Sequence, residues 1–135
     1  MEKPHKKLEV WKQSMDFVAE IYKSTEGLPS EEIYGLTNQL RRAAGSIPCN
    51  IAEGAARQTK KEFTNFLHIA QGSLSEVDTQ IEIAGRLGYL DAEYRKRLDS
   101  KMAPIDKMLT GLIRHLSKSK GEKQGMRSDL KSSYS

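Results

Sequence analysis

The chain has 135 residues, 37% hydrophobic and 30% charged, with 22 Lys and Arg against 18 Asp and Glu and a single cysteine. That length suits one domain around one core, one cysteine excludes a disulfide framework, and no Cys and His spacing suggests structural zinc. No stretch is apolar enough for a signal peptide or a membrane span, so the sequence predicts a soluble, cytoplasmic protein without membrane contact.

The formal charge of +4 is unevenly distributed. Residues 1–7 hold three lysines and one glutamate (+2), and residues 117–135 hold five basic and two acidic side chains (+3). Taking both from +4 leaves −1 for residues 8–116. The basic excess therefore belongs to the two ends of the chain, and the charge of the body gives only weak support to nucleic-acid binding. Residues 1–7 read as a flexible basic N-terminus, 8–118 as the fold, and 119–135, rich in Ser, Lys and Gly, as a disordered polar and basic tail.

No alternating strand pattern occurs in the body, which turn residues divide into four segments of helical period. The first, about Leu8 to Thr25, places Leu8, Trp11, Met15, Val18 and Tyr22 on one stripe, taken as the core face, and is stopped by Gly27 and Pro29. Val10, Phe17 and Ile21 form a second stripe roughly 120° around the same helix. One bundle core cannot bury both. The second stripe is either the edge of a wide apolar face in a single bundle or a contact between subunits, and the subunit contact is preferred because exposed apolar stripes mark interfaces.

In the second segment Ser30 is the expected N-cap, with Glu31 and Glu32 at the positive end of the helix dipole. Ile33, Leu36, Leu40, Ala43, Ile47 and Ile51 share one side, and the segment ends near Gly54. Opposite them, Asn38, Arg42, Gly45, Cys49 and Glu53 follow one line at steps of four, three, four and four. This row is small in the middle and charged towards its ends, as a close helix contact with a second subunit requires, and Arg42 could pair with Glu53 across it. Facing water alone, Gly45 in mid-helix would cost about 1 kcal/mol relative to Ala without return.

The third segment, about Lys60 to Leu87, repeats Phe63, Leu67, Ala70, Leu74, Val77, Ile81 and Ala84 at steps of four and three. Gly88 is placed to end it and Asp91 to start the fourth, which carries Tyr94, Leu98, Met102, Ile105, Leu109, Leu112 and Leu116 to about Lys118. Pro48 and Pro104 fall inside these patterns and should bend their helices or, less in keeping with the continuing stripes, divide them. Short links make this an all-α, up-down-up-down four-helix bundle.

Sites for catalysis are hard to find in it. No helix carries the Glu-x-x-His pair of bundle metal sites, His5, His68 and His115 lie off the core stripes, and no phosphate-binding glycine loop follows a strand. Cys49 lacks a nearby base and reads as a small packed thiol. The sequence thus predicts neither an enzyme nor a metal or cofactor. Basic residues do gather: Lys96, Lys107, Arg114 and Lys118 fall within about 40° on the fourth helix. Arg57, Lys60 and Lys61 cluster at the turn between the second and third. These are either solvated faces or sequence-independent phosphate contacts, and no aromatic residues interleave with them for base stacking.

The segments LEVWKQSMDF, YGLTNQLRRAAGSIPCNIAEGAAR, KKEFTNFLHIAQGSLSEVDTQI and LGYLD, spanning roughly residues 8 to 116, resemble the four-helix-bundle proteins encoded in intervening sequences of bacterial 23S ribosomal RNA genes. That family also includes accessory proteins of diversity-generating retroelements. Ser46 to Gly54 is the most specific part of the match. The resemblance implies a homo-oligomeric ring, commonly a homopentamer, without enzymatic activity. For retroelement members it also implies binding of RNA or DNA and contact with a reverse transcriptase. It puts Cys49, where relatives carry a small residue, in a tight slot, and it leaves ion pairing or phosphate contact to Arg41 and Arg42. Val10, Phe17, Ile21, Asn38, Arg42, Gly45, Cys49 and Glu53 are the expected assembly residues, and Arg57, Lys60, Lys61, Lys96, Lys107 and Arg114 the expected phosphate contacts. The competing reading is a protein-binding adaptor whose lysines serve solubility.

Overall fold

The computed structural model describes residues 1–118; the tail expected at 119–135 lies outside the described residues. Four helices make up the body: α1 (Glu9–Thr25), α2 (Leu36–Ala55), α3 (Lys60–Arg86) and α4 (Ala92–Lys118). Each packs against its neighbours in sequence, and α1 closes the square on α4. At about 1.5 Å per residue the two 27-residue helices run roughly 40 Å. Among the described residues there is no strand.

The ends of α3 show why the chain folds back where it does. Thr59 caps its start, accepting the Glu62 N–H at 3.1 Å. At its other end Gly88 adopts φ +80°, Tyr89 N–H reaches Ala84 O at 2.9 Å, and Gly88 N–H reaches Gly85 O at 3.1 Å. This pair of bonds closes the last turn and requires a residue at ease with positive φ. Three residues later Asp91 Oδ1 accepts the Tyr94 N–H at 2.7 Å and starts α4 antiparallel to α3.

All seven apolar positions expected to face inward from α3 are buried, as are Leu98, Met102, Ile105, Leu109, Leu112 and Leu116 of α4. Leu36, Leu40, Ala43, Ile47 and Ile51 line the core from α2. Both α2 and α4 run unbroken through Pro48 and Pro104. Polar side chains tie the seams. Ser46 and Ser73 hydroxyls meet at 2.8 Å between α2 and α3, and Gln71 donates to Thr110 Oγ1 at 2.9 Å between α3 and α4. Arg97 donates to Glu20 at 2.9 Å between α4 and α1. Where α2 and α3 cross, a Cβ on Gly54 would stand 2.8 Å from Phe66 Cβ and 2.9 Å from Phe63 Cδ1, so only glycine fits.

On α1 the expected faces are exchanged. Val10, Phe17 and Ile21 are buried in the chain's own core, while Met15 and Tyr22 are 45% and 46% exposed and Trp11 and Val18 are half-buried. The true inward line is Val10, Ser14, Phe17, Ile21, Ser24 and Leu28, at steps of four and three throughout. Its serines concealed it. Ser14 donates to Val10 O at 2.6 Å and Ser24 to Glu20 O at 2.7 Å, so each hydroxyl is satisfied one turn back and can be buried cheaply. Val10, Phe17 and Ile21 are therefore core residues of the protomer, not interface residues.

Three further expectations are corrected. Ser30 opens only a 3-10 turn, Ser30–Glu32, and α2 begins at Leu36, whose N–H donates to the Glu32 carboxylate at 3.3 Å. Ile33, outside that helix, is 54% exposed rather than core. Residues 4–7 are not a loose lead: they form a 3-10 turn, Pro4–Lys7, packed against α1 and α2, with His5 edge-on to Trp11 at 5.1 Å between ring centres.

Candidate nucleic-acid interface

The up-down path brings three chain segments to one end of the bundle. Lys60, Lys61, Thr64 and Asn65 of α3 share a groove with Leu116 and Ser117 of α4, which sets the start of α3 beside the finish of α4. Thr25 at the end of α1 receives Arg41 near the start of α2, so those helices are antiparallel and the 3-10 turn before α1 lies at this same end. Arg57, Lys60, Lys61, Arg114 and Lys118 thereby lie at the same end of the bundle as Lys3, Lys6 and Lys7. Among the described residues at this end, the acidic side chains are Glu2, Glu9, Glu53 and Glu62. The lysines of the leading turn were missed as part of a site because residues 1–7 read as flexible; Pro4, which fixes the first φ of the turn, and buried Leu8 were the signals.

Not every nominated cation joins this group. Lys96 stands on the opposite end of α4, in a groove shared with Asp78, Glu82 and Asp99. It is 18 residues, about 27 Å, from Arg114. Lys107 is exposed between them, nearer Arg114. Arg57 is anchored to the wall of the bundle: it donates to Glu53 at 2.7 Å and its guanidinium carbon lies 5.0 Å from the Phe66 ring centre. At the far end the excess is acidic and small, Glu26, Glu31, Glu32, Glu82, Asp91 and Glu93 standing against Lys23, Arg86, Arg95 and Lys96. There Arg95 and Arg86 pair with Glu82, and the Tyr89 hydroxyl donates to Glu32 at 3.2 Å. Partial burial and this carboxylate push the Tyr89 phenol upward. The bundle is thus polarised along its axis although the body's net charge is nearly zero.

A match to the family model described as 23S rRNA-intervening sequence protein spans residues 6–111. The chain belongs to that family. It is also similar to the crystal structure of a protein of unknown function of the S23 ribosomal protein family from Bacteroides thetaiotaomicron, at 26% identity and a TM-score of 0.70, covering 78% of this chain and 98% of that one. Comparison with curated proteins gives no match.

Within this intervening-sequence protein the row Asn38, Arg42, Gly45, Cys49 and Glu53 lies on the outer side of α2, as its spacing predicts. A Cβ on Gly45 would meet nothing within 4 Å. Cys49 is a free thiol exposed on this outer row of the protomer. The paired arginines divide their work. Arg41 donates to Thr25 Oγ1 at 2.9 Å and to Tyr22 O at 3.3 Å, and its guanidinium carbon lies 4.6 Å from the Tyr22 ring centre. It is committed to closing the C-terminal turn of α1. Arg42 is exposed and makes no ion pair among the described residues. No three His, Cys, Asp or Glu side chains among the described residues converge to hold a metal ion, and no described helix is long and apolar enough to cross a membrane.

Proposed function

We propose that this protein is a non-catalytic, cytoplasmic homo-oligomer, a pentameric ring in keeping with its resemblance, that holds RNA or DNA by the phosphate backbone. The observation that carries the reading is the gathering of Arg57, Lys60, Lys61, Arg114 and Lys118 with Lys3, Lys6 and Lys7 at one end of the bundle. Phosphate contacts from such a group are additive, independent of base sequence and opposed by salt. The α4 end from which the basic residues 119–135 continue is this same end. Lys96 has no part in it, and Lys107 a marginal one.

The adaptor reading draws support from Tyr34 and Ile33, 91% and 54% exposed at the acidic end, where a protein such as a reverse transcriptase would find apolar anchors. A salt titration of binding to generic RNA and DNA separates the two. Four or five phosphate contacts give a log–log slope of about −4, a loss on the order of 10²-fold between 50 and 200 mM salt. Lys61→Glu and Arg114→Glu should each flatten that slope by about 1, and Lys96→Glu should leave it unchanged. No affinity at low salt would leave only the adaptor.

A further inference from the structure

Along the side of α3 that faces away from the bundle, Ile69, Gly72, Glu76, Ile83 and Leu87 fall on one line at steps of three, four, seven and four. Ile69 is 50% exposed, Ile83 44% and Leu87 55%, and a Cβ on Gly72 would meet nothing within 4 Å. Large apolar side chains in line, with a low point between the first two, form a surface that another segment covers. The charge around it has one sign. Between Lys61 and Arg86 this helix has no Lys or Arg, while Glu76, Asp78 and Glu82 are exposed. Beside the line, the α3–α4 seam opens into a groove whose charged lining is Asp78, Asp99 and Asp106. Neither Glu76 nor these three aspartates make an ion pair among the described residues. Such a face suits an occupant that is apolar on one side and basic beside it.

The chain contains a segment of that composition. Met126, Leu130 and Tyr134 recur at steps of four, so they share one side whether the segment is helical or extended. Lys123, Arg127 and Lys131 recur at the same step, and only Asp129 opposes them between residues 123 and 134.

Its length matches the face. The segment leaves α4 after Lys118, beside the start of α3. Ile69 lies nine residues, about 14 Å, along α3 from Lys60, and the eight residues from Lys118 to Met126 span up to about 27 Å. From Met126 to Tyr134 an extended chain again spans up to about 27 Å, and from Ile69 to Leu87 the helix runs about 27 Å.

We propose that residues 123–134 fold back on their own bundle and strap the Ile69–Leu87 face of α3. Met126, Leu130 and Tyr134 cover the apolar line, and Arg127 and Lys131 turn towards Glu76 and the aspartates of the seam. A segment tethered this close competes at an effective concentration in the millimolar range, which favours it over the same segment of another copy or over a separate protein.

Disulfide trapping in the full chain tests the strap. In a Cys49→Ala background, Ser132→Cys is combined with Thr79→Cys, an exposed position on the same outer side of α3, or with Lys107→Cys, an exposed position on α4. Position 107 is about 17 Å from the root of the segment and position 79 about 28 Å from the start of α3, so a segment that wanders freely links to 107 at least as fast. In oxidised glutathione the 79–132 pair should close within one chain about tenfold faster than the 107–132 pair. Leu130→Asp, which leaves residues 1–118 untouched, should abolish that preference, and raised salt should reduce it. Equal rates for the two pairs, or a preference that survives Leu130→Asp, overturn the proposal. Linkage between chains in place of closure within one also overturns it, by giving the face to the tail of another copy.

Discussion

Phe17 and Tyr22 stand five residues apart on α1 and on different sides of it. Phe17 is buried to 1% exposure, whereas Tyr22 is 46% exposed beneath the Arg41 guanidinium. The pair defines which face of α1 belongs to the core. Phe17→Ala should destabilise the protomer by about 3–5 kcal/mol, a large aromatic removed from a packed site. Met15→Ala should cost less than about 1 kcal/mol, as expected of a partly exposed side chain. Urea denaturation of both variants checks the assignment.

How far the fold could be read from sequence differed by helix, for identifiable reasons. On α3 and α4 the apolar steps are uninterrupted, and Gly88 and Asp91 announce the turn between them. On α1 two lines compete, and the buried one contains Ser14 and Ser24, whose hydroxyls bond to carbonyls one turn back and so look polar only in the sequence. At the start of α2, Ser30 has the form of a cap, but the carboxylate of Glu32 receives the first helical N–H and places the boundary at Leu36. The basic end was half legible. Arg57, Lys60 and Lys61 are neighbours in the chain, whereas their meeting with Arg114 and the leading lysines depends on the antiparallel path. Lys96 and Arg114 share a face of α4 and still lie at opposite ends, because a helical wheel carries no axial coordinate.

Two glycines of α2 should respond in opposite ways. Gly54→Ala drives a Cβ into Phe66 and Phe63 and should cost about 1–3 kcal/mol. Gly45→Ala meets open space and should stabilise the isolated protomer by about 1 kcal/mol through helix propensity alone. Thermal unfolding of the two variants at low protein concentration compares them directly.

The adjacent arginines should separate as cleanly. Arg41→Ala removes the donor to Thr25 and Tyr22 and the cation above the Tyr22 ring, and should cost about 1–2 kcal/mol. Arg42→Ala should stay within about 0.5 kcal/mol of the parent protein in protomer stability, because nothing described in the protomer depends on it. Loss of assembled mass by Arg42→Ala with unchanged protomer stability is the expected signature.

The α1–α4 seam should weaken in acid. The hydrogen bond from Arg97 holds the Glu20 carboxyl below its ordinary value of 4.5, so the folded state binds this proton less readily than the unfolded chain. The stabilisation is therefore complete above pH 4.5 and is lost as pH falls through the lower, folded value. Glu20→Gln should lose the stabilisation at neutral pH and show a shallower decline in melting temperature on acidification. Parallel melting curves from neutral pH to about pH 3 would show the two proteins converging.

The most direct measurement is the mass of the full chain in solution by light scattering, followed over a wide range of protein concentration. A particle several times 15.2 kDa, holding its size on dilution into the micromolar range, is the predicted result. A particle of 15.2 kDa at the highest concentration reached would contradict it.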